Sequence, residues 1–265
     1  MDIDAKTIRK RIISMAYESG LSAHLGGSLS MVEILTVLYR DILNYDFSNP
    51  FWPKRDRFIL SKGHCVMALY AVLVEKGLIT EDEIKSYMQN GSAFSSHPVM
   101  DLAHGIECSS GSLGQGVSMA LGMAKAAKLK NEDYKIYSLV GNGECNEGSV
   151  WESFMLAGQW KLDNLTIIID NNRLQSDGNS DLIVDLSNIA ERLSTFGLKV
   201  IEVNGHKESE IKKAFNEDFG DKTKVIVANT IKGKGISFME NDNDWHHNRL
   251  IKDKYECAYE EISKE

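Results

Sequence analysis

Gly141-Asn142-Gly143-Glu144 and Asp170-Asn171-Asn172 are two polar turns about thirty residues apart in a chain of 265 residues. Each turn closes an apolar stretch typical of a buried strand, residues 135–140 and 165–170, and residues 148–161 between them are predicted to form a helix. A βαβ unit of this kind brings the carboxyl ends of its two strands side by side. We therefore expect the two turns to meet at one edge of a parallel sheet, where their side chains suit a metal bridged to a diphosphate.

The rest of the chain continues this alternation of helices and strands. Residues 4–19 have one apolar face at helical spacing, and Ser30 with Glu33 has the capping-box pattern of a second helix. We also predict a strand at 57–60, an apolar helix that ends at Leu73, a helix capped by Thr80, a helix after Gly116, helices at 186–196 and 208–216, and strands at 199–203 and 224–231. These elements predict an α/β fold, a doubly wound, mostly parallel sheet with helices on both faces, in a single domain over residues 1–265.

Composition and charge indicate a globular chain with no nucleic-acid partner and no membrane partner. Hydrophobic residues make up 43% of the sequence, and the formal net charge of −8 argues against a nucleic acid or an anionic membrane as the main ligand. The four cysteines, Cys65, Cys108, Cys145 and Cys257, lack the spacing of a zinc site. Residues 1–4 lead directly into a helix without a signal peptide, and no apolar run is long enough to span a bilayer, so we expect a cytoplasmic protein.

The two polar turns carry groups that bind a diphosphate and its metal. Gly141 and Gly143 leave room for phosphate oxygens near the backbone, and a helix that starts near Gly148 offers free N–H groups. Asn142 and Asn172 supply oxygen ligands of the kind that Mg²⁺ or Ca²⁺ prefers. Alternatively, Asn142 only tolerates the positive φ of a tight turn, and Asn172 lies in an ordinary loop. Two such turns at this spacing, each after an apolar strand, favour the metal site.

Other phosphate-binding motifs fit this segment less well. A P-loop ends in Gly-Lys-Ser/Thr, and Gly148-Ser149-Val150 lacks the lysine. A dinucleotide fingerprint needs Gly-x-Gly-x-x-Gly, whereas the third glycine comes too late here, with Glu144 and Glu147 inside the loop. A nucleotide-linked dehydrogenase is therefore the weakest of the functions that we consider.

Histidines give the next signal. Six of the seven lie in turns rich in Gly, Ser or Pro or near the C-terminus, at His24, His64, His97, His104, His246 and His247. One histidine in a loop is usually a structural hydrogen-bonding group. Several histidines at predicted strand ends are better explained by a polar site that needs hydrogen-bond donors and proton carriers near neutral pH.

Together these motifs resemble the N-terminal, diphosphate-binding half of the transketolase family. The resemblance covers nearly the whole chain, from about Asp4 to Arg249. The motifs that carry it are Ser22-Ala23-His24-Leu25-Gly26-Gly27, Leu60-Ser61-Lys62-Gly63-His64, Ser96-His97-Pro98-Val99, Ser110-Gly111-Ser112-Leu113-Gly114-Gln115-Gly116, Gly141-Asn142-Gly143-Glu144, Glu147-Gly148-Ser149-Val150-Trp151-Glu152, Leu162-Asp163-Asn164-Leu165, Asp170-Asn171-Asn172, Gly205-His206, Ile231-Lys232-Gly233-Lys234-Gly235 and Trp245-His246.

The resemblance implies a cofactor, thiamine diphosphate held through a divalent metal, and a role for each matching residue. The metal, Mg²⁺ or alternatively Ca²⁺ or Mn²⁺, would be bound by the side chains of Asn142 and Asn172 and by the carbonyl of Leu174. The residues implied to contact the cofactor are His64, Gly111, Ser112, Leu113, Gly143, Glu144, Asn172, Lys232 and His246. The implied catalytic residues are His24, His64, His97 and His246, which would line the channel to the reactive carbon, and Glu147, which would join a carboxylate chain between two active sites.

The implied activity is that of a transketolase, which moves a two-carbon ketol unit from a ketose or ketose phosphate to an aldose or aldose phosphate. In single-chain members of the family, a second domain supplies the glutamate that activates the cofactor and most residues that grip the sugar phosphate. The resemblance therefore implies a split enzyme, active only with a separate C-terminal subunit that carries the pyrimidine-binding domain, in an α₂β₂ assembly. Its sugar would be a sugar phosphate or a modified sugar, such as a sulfonated, branched or deoxy sugar.

Two positions depart from the pattern of the family. Asn142 stands where the family has Asp, so the metal would lose a charged ligand, at a cost on the order of 1–3 kcal/mol. Leu25 stands where the family usually has Pro after the histidine. A second hypothesis follows from Asn142, namely that the chain is a cofactor-poor scaffold or regulatory subunit of such an enzyme. The channel histidines favour the catalytic hypothesis, because a scaffold has no need of them.

Overall fold

The computed structural model of the chain describes residues 3–218 and 220–264, so residues 1, 2, 219 and 265 of the predicted domain lie outside the described residues. The α-helices are α1 (Ala5–Ser19), α2 (Leu25–Ser30), α3 (Val32–Val37), α4 (Val66–Glu75), α5 (Glu81–Ile84), α6 (Gln115–Lys130), α7 (Gly148–Trp160), α8 (Ser180–Ile183), α9 (Ile189–Ser194), α10 (Glu208–Asn216) and α11 (Lys252–Lys264). The strands are β1 (Ser22–Ala23), β2 (Arg57–Leu60), β3 (Ile136–Gly141), β4 (Leu165–Asn171), β5 (Leu174–Gln175), β6 (Gly178–Asn179), β7 (Lys199–Asn204), β8 (Lys224–Asn229) and β9 (Asn248–Arg249). Within the described ranges, no helix combines the length and the apolar character needed to cross a bilayer.

Five parallel strands form the central sheet, in the order β2-β3-β4-β8-β7. The pairing of β3 with β4 runs from Ile136 opposite Leu165 to Gly141 opposite Asp170. The two polar turns therefore leave the sheet side by side, with α7 as the crossover between their strands. Two short antiparallel ladders, β1 with β9 and β5 with β6, lie outside this sheet.

Helices cover both faces of the sheet, which confirms the predicted doubly wound α/β fold. Ile136 and Val140 of β3 pack with residues of α6, α7 and α9 in one apolar core, whereas Tyr137 and Leu139 belong to a second core with residues of α1 to α4, α10 and α11. The chain crosses the sheet in one direction from β2 to β7 and then turns back to reach β8, and right-handed crossovers then place α7 and α9 on one face and α10 on the other.

Most predicted elements are present, with ends that differ by a few residues. The predicted bounds of α10 and β2 are confirmed, and Thr80 caps α5 as predicted, through a capping box with Glu83. The helix predicted at 186–196 is the shorter α9, and the strand predicted at 224–231 ends at Asn229. These differences leave the order of the elements unchanged.

The predicted capping box at Ser30 is wrong. Ser30 is the last residue of α2, and its hydroxyl lies 2.9 Å from the carbonyl of Gly27 and 2.6 Å from the carboxylate of Asp170. Glu33 is buried and forms an ion pair with Arg9. Contacts with the end of β4 therefore override the local capping pattern.

Candidate active site

A cavity of about 360 Å³ lies at the carboxyl edge of the sheet, beyond the ends of β3 and β4. Its wall contains both polar turns together with residues from near both ends of the chain. The predicted site residues that line it are His24, His64, Gly111, Leu113, Asn142, Gly143, Glu144, Glu147, Asn172, Leu174, Lys232 and His246. Parallel strands end at one edge, so segments that are distant in sequence converge there.

Asn142 and Asn172 place amide groups on this wall, and each amide is oriented by a protein acceptor. The amide nitrogen of Asn142 donates to Ser180 Oγ at 2.7 Å, which leaves Oδ1 as the group for a ligand. The amide nitrogen of Asn172 donates to Asp170 at 3.1 Å, and its Oδ1 accepts from the N–H of Leu174 at 3.1 Å. The φ of Asn142 is −60°, so the alternative that this residue serves to tolerate a positive φ is wrong.

These oxygens fit a hard divalent cation. Asn142, Asn172 and Leu174 all line the cavity, and amide and carbonyl oxygens are neutral ligands that Mg²⁺ and Ca²⁺ accept, so a diphosphate would have to supply the negative charge. Among the described residues, no group of three or more His, Cys, Asp and Glu side chains is arranged to hold a metal. Gly143 permits the close packing of the turn, because a Cβ there would lie 2.8 Å from the Cβ of Gln175.

Behind the two asparagines lies a buried ion pair, in which Lys62 Nζ is 2.5 Å from Asp170 Oδ2. The carboxylate of Asp170 also accepts from the hydroxyls of Ser30 and Thr230 and from the amide of Asn172. Burial opposes both charges, but the pair keeps the pKa of Asp170 below its usual value and the pKa of Lys62 above its usual value. Asp170 thus anchors the turn that carries Asn172.

Glu144 connects the first polar turn to the glycine-rich segment before α6. Its buried carboxylate accepts from Ser61 Oγ at 2.5 Å, from the N–H of Gly114 at 2.8 Å and from the N–H of Gly141 at 3.1 Å. Burial raises the pKa of Glu144, and these three donors oppose that shift. The residue lines the cavity, but its carboxylate is occupied by protein donors, so its predicted contact with a diphosphate stays a prediction.

Imidazole rings cluster beside the two polar turns, with His24 at the centre. His24, His64 and His246 line the cavity, whereas His97 and His247 pack against His24 without lining it. The centroid of the His24 ring lies 5.0 Å from that of His64, 6.1 Å from His97, 5.3 Å from His246 and 4.5 Å from His247. These five rings come from segments spread over more than two hundred residues of the chain. The structure therefore joins the four predicted catalytic histidines with a fifth, His247.

Burial makes the cavity imidazoles neutral near neutral pH. It lowers the pKa to about 3 for His24, about 2 for His64 and about 4 for His246. Charge on neighbouring groups acts in the same direction, from Lys232 on His24 and His246 and from Lys62 on His64. Burial lowers the pKa of His97 as well. Each neutral ring offers one N–H donor and one acceptor nitrogen.

Lys232 determines which nitrogen of His246 carries the proton. Its Nζ lies 2.9 Å from His246 Nδ1 and 3.3 Å from Asn243 Oδ1. A charged ammonium has only donors, so Nδ1 accepts and the proton of neutral His246 is on Nε2. Burial lowers the pKa of Lys232 to about 8, so it remains mostly charged at neutral pH.

The remaining predicted site residues lie at the border of the cavity. Gly111 has φ of +140°, and a Cβ there would lie 2.6 Å from Cδ2 of His97, so glycine at this position lets the turn pack against that ring. Ser112 follows Gly111 but does not line the cavity. Glu147 is exposed at the N-cap position before α7 and lines the cavity.

Sequence reasoning missed several residues of the site. The pairing of Lys62 with Asp170 and the role of Ser180 leave no local pattern, since the partners are 108 and 38 residues apart. His247 is one of the six histidines that the sequence analysis connects with a polar site, but the resemblance gives it no role. His104, in contrast, lies outside the cluster and is bonded to Asp101 at 2.7 Å.

The sequence model of the family described as transketolase, thiamine diphosphate binding domain, matches residues 4–262 of this chain. The chain belongs to the transketolase family. The matched range contains the whole lining of the cavity, which places the two polar turns and the histidine cluster within the cofactor-binding domain of transketolase.

Similar proteins include both separate subunits and longer transketolase chains. One subunit of the apulose-4-phosphate transketolase of Phocaeicola vulgatus is 41% identical over 266 residues, which cover 100% of this chain and 94% of that protein. A 6-deoxy-6-sulfo-D-fructose transketolase subunit of a Clostridium species is 38% identical and covers 98% of this chain and 95% of its own length. The transketolase structure from Campylobacter jejuni superimposes with a TM-score of 0.91 at 30% identity, over 99% of this chain and 43% of that one. The chain therefore spans less than half of that transketolase.

Proposed function

We propose that this chain is the thiamine-diphosphate-binding subunit of a two-subunit transketolase, a glycolaldehyde transferase that is active only with its partner. The observation that carries the proposal is the cavity in which the oriented amides of Asn142 and Asn172 occur together with a cluster of neutral imidazoles. The reaction would move a two-carbon ketol unit from a ketose or ketose phosphate to an aldose or aldose phosphate, as in pentose phosphate metabolism.

The two polar turns are the proposed binding site for the diphosphate and its ion. Thiamine diphosphate, when bound, supplies the carbon nucleophile and the electron sink with which a C–C bond beside a carbonyl is cleaved. Asn142, Asn172 and the carbonyl of Leu174 would bind Mg²⁺, with Ca²⁺ or Mn²⁺ as alternatives, and the backbone of Gly143 would contact the diphosphate. A neutral ligand set suits an ion whose charge the diphosphate already balances. His64 and residues 111–113 would contact the rest of the cofactor.

The neutral imidazoles would bind and orient the sugar. His24, His97 and His246 would donate hydrogen bonds to its oxygens and move protons at the reacting carbons. For His246 the donor is defined, because Lys232 occupies Nδ1 and leaves the proton on Nε2. Depressed pKa values keep these rings able both to donate and to accept at neutral pH.

The proposed partner is a separate protein that carries the pyrimidine-binding domain, in an α₂β₂ heterotetramer. The similar protein from Phocaeicola vulgatus is itself named as one subunit of its enzyme, and the match covers 94% of its length. Glu147 is exposed beside the cavity, where it is available for a carboxylate chain to a second active site. All four cysteines are free thiols, which suits the reducing environment of the cytoplasm.

The substrate class is a sugar phosphate or a modified sugar. Similar subunits are named for apulose 4-phosphate and for 6-deoxy-6-sulfo-D-fructose, both of which carry an anionic group. Selection between such sugars would depend on both subunits.

Calorimetric titration tests the cofactor site. Thiamine diphosphate with Mg²⁺ is titrated into the wild-type chain, into Asn142→Asp and into Asn142→Ala, each with its partner subunit, and ketol transfer is assayed in parallel. We expect binding and activity for the wild type and a loss of binding of at least about tenfold for Asn142→Ala. Binding only by Asn142→Asp would support the scaffold hypothesis instead, and no binding by any of the three proteins would refute the cofactor site.

A further inference from the structure

A short antiparallel ladder sets two histidines against each other beside the cavity. In this ladder β1 and β9 pair Ser22 with Arg249 and Ala23 with Asn248. Continuation of the register by one residue sets His24 against His247, and their ring centroids are 4.5 Å apart. This is the shortest of the four ring distances that His24 makes to the other histidines of the cluster.

His247 is the outermost member of the cluster. It is exposed, whereas the other four rings are partly buried. His24 lines the cavity, and His247, which does not line it, packs directly against His24. An exposed imidazole in this place can donate to and accept from a ligand that extends out of the cavity.

The surroundings of the two rings favour a polar or anionic ligand. His246 adjoins His247 and also packs against His24, at 5.3 Å between centroids. Lys232, which is bonded to His246, adds a cation to this side of the cavity. Imidazole N–H donors beside an ammonium group suit the hydroxyl and phosphate oxygens of a sugar phosphate.

We propose that His247 is a substrate-contacting residue, which together with His24 binds the part of the sugar that lies beyond the two transferred carbons. The inference rests on the proposed function, because it takes the inner part of the cavity as the place of the reacting carbons. It means that this chain contributes to the choice between sugars through His247, which is not one of the predicted catalytic residues.

The test uses donors of different length in the reconstituted two-subunit enzyme. Wild type, His247→Ala and His247→Gln are compared with hydroxypyruvate, a short donor, and with D-xylulose 5-phosphate or D-fructose 6-phosphate, whichever the wild type uses faster. For His247→Ala we expect the KM of the ketose phosphate to rise about 5- to 20-fold with kcat within about twofold. The KM of hydroxypyruvate should stay within about twofold, and His247→Gln should recover most of the loss because it keeps a donor and an acceptor.

Two controls separate this role from others. His104→Ala changes a histidine outside the cavity and should leave both KM values unchanged. Calorimetry of thiamine diphosphate with Mg²⁺, and sedimentation of the two-subunit complex, should give the same affinities for His247→Ala as for the wild type.

Three results would overturn the inference while the wild type is active. They are an unchanged KM for the ketose phosphate, an equal loss with both donors, and weakened assembly with the partner without a change in KM. If the proposed function is wrong, the wild-type two-subunit enzyme shows no ketol transfer with any donor. That result would also refute this inference.

Discussion

The asparagine side of the cavity is held by hydrogen bonds and a buried charge, whereas the histidine side consists mainly of rings packed against one another. Asp170 accepts from Lys62, Ser30, Thr230 and Asn172 at once. The ring of His24, in contrast, has four other imidazoles around it at 4.5 to 6.1 Å. Removal of one residue from the asparagine side should therefore strongly lower the free energy of unfolding. Replacement of a histidine on the other side should mainly change how the free energy of unfolding depends on pH.

Removal of Asp170 should have the largest effect. The variant Asp170→Ala leaves the ammonium of Lys62 buried without its counter-charge and removes the acceptor for three further donors. We expect the free energy of unfolding to fall by about 3–5 kcal/mol, measured by urea denaturation at pH 7. Asp163→Ala is the matched control, because its ion pair with Lys128 is well exposed and should contribute about 0–1 kcal/mol. Equal losses for the two variants would contradict the assigned role of Asp170.

Gly111→Ala should have the next largest effect, at the border between the two sides. Its φ of +140° is unfavourable for a residue with a Cβ, and the added atom would press on the ring of His97. We expect a loss of about 1–3 kcal/mol in the free energy of unfolding. Gly148→Ala is the control, since no atom lies within 4 Å of its Cβ position and the substitution should stay within about 0.5 kcal/mol.

Ser180→Ala tests the orientation of the proposed metal ligand Asn142. The substitution removes the acceptor that holds the amide nitrogen at 2.7 Å, so Oδ1 would no longer be fixed toward the ion. We expect the affinity for thiamine diphosphate with Mg²⁺ to fall about tenfold by calorimetry. Ser187→Ala, an exposed serine in the segment between α8 and α9, should leave the affinity unchanged. Similar affinities for both variants would mean that Ser180 does not position the ligand.

The two sides also differ in how far the sequence predicts them. The polar turns follow adjacent strands, so their spacing predicts that Asn142 and Asn172 meet. The histidines come from separate segments, and only the resemblance to a family joins His24 with His246. Neither the spacing of the motifs nor the resemblance to a family predicts the ion pair of Lys62 and Asp170, because the tertiary fold brings these two distant residues together.

Local patterns account for the remaining failures. The capping pattern at Ser30 predicts a helix start, yet the hydroxyl is used by Asp170. The sequence analysis names His247 as one of several histidines of a polar site, but its place beside His24 depends on the ladder of β1 with β9, and two residues per strand are too short to leave a periodic signal. In both cases the sequence contains the residue, but the contact that defines its role is made by a distant element.

The histidine side should show itself in the pH dependence of stability. Burial lowers the pKa of His64 to about 2 in the folded chain, whereas in the unfolded chain it is near 6.5. Between these two pH values, His64 is protonated in the unfolded chain and neutral in the folded chain. The free energy of unfolding is therefore unaffected by the protonation of this group above pH 6.5 and falls as the pH decreases below 6.5. Replacement of this ring in His64→Asn should reduce the slope of the unfolding free energy by about 1 kcal/mol per pH unit between pH 6 and 4. Urea titrations at pH 4, 5, 6 and 7 measure the slope.

His104 provides the opposite case in the same molecule. Burial lowers its pKa, but the carboxylates of Asp101 and Glu83 raise it above the ordinary value overall. The stabilisation from these contacts is present below pH 6.5 and disappears as the pH rises through the folded pKa. His104→Asn should therefore cost more stability at pH 5 than at pH 8, whereas His64→Asn should cost less at pH 5 than at pH 8. If the two variants changed the slope in the same direction, the cavity imidazoles would not be held neutral by burial, and their proposed roles as neutral donors to the sugar would lose their physical basis.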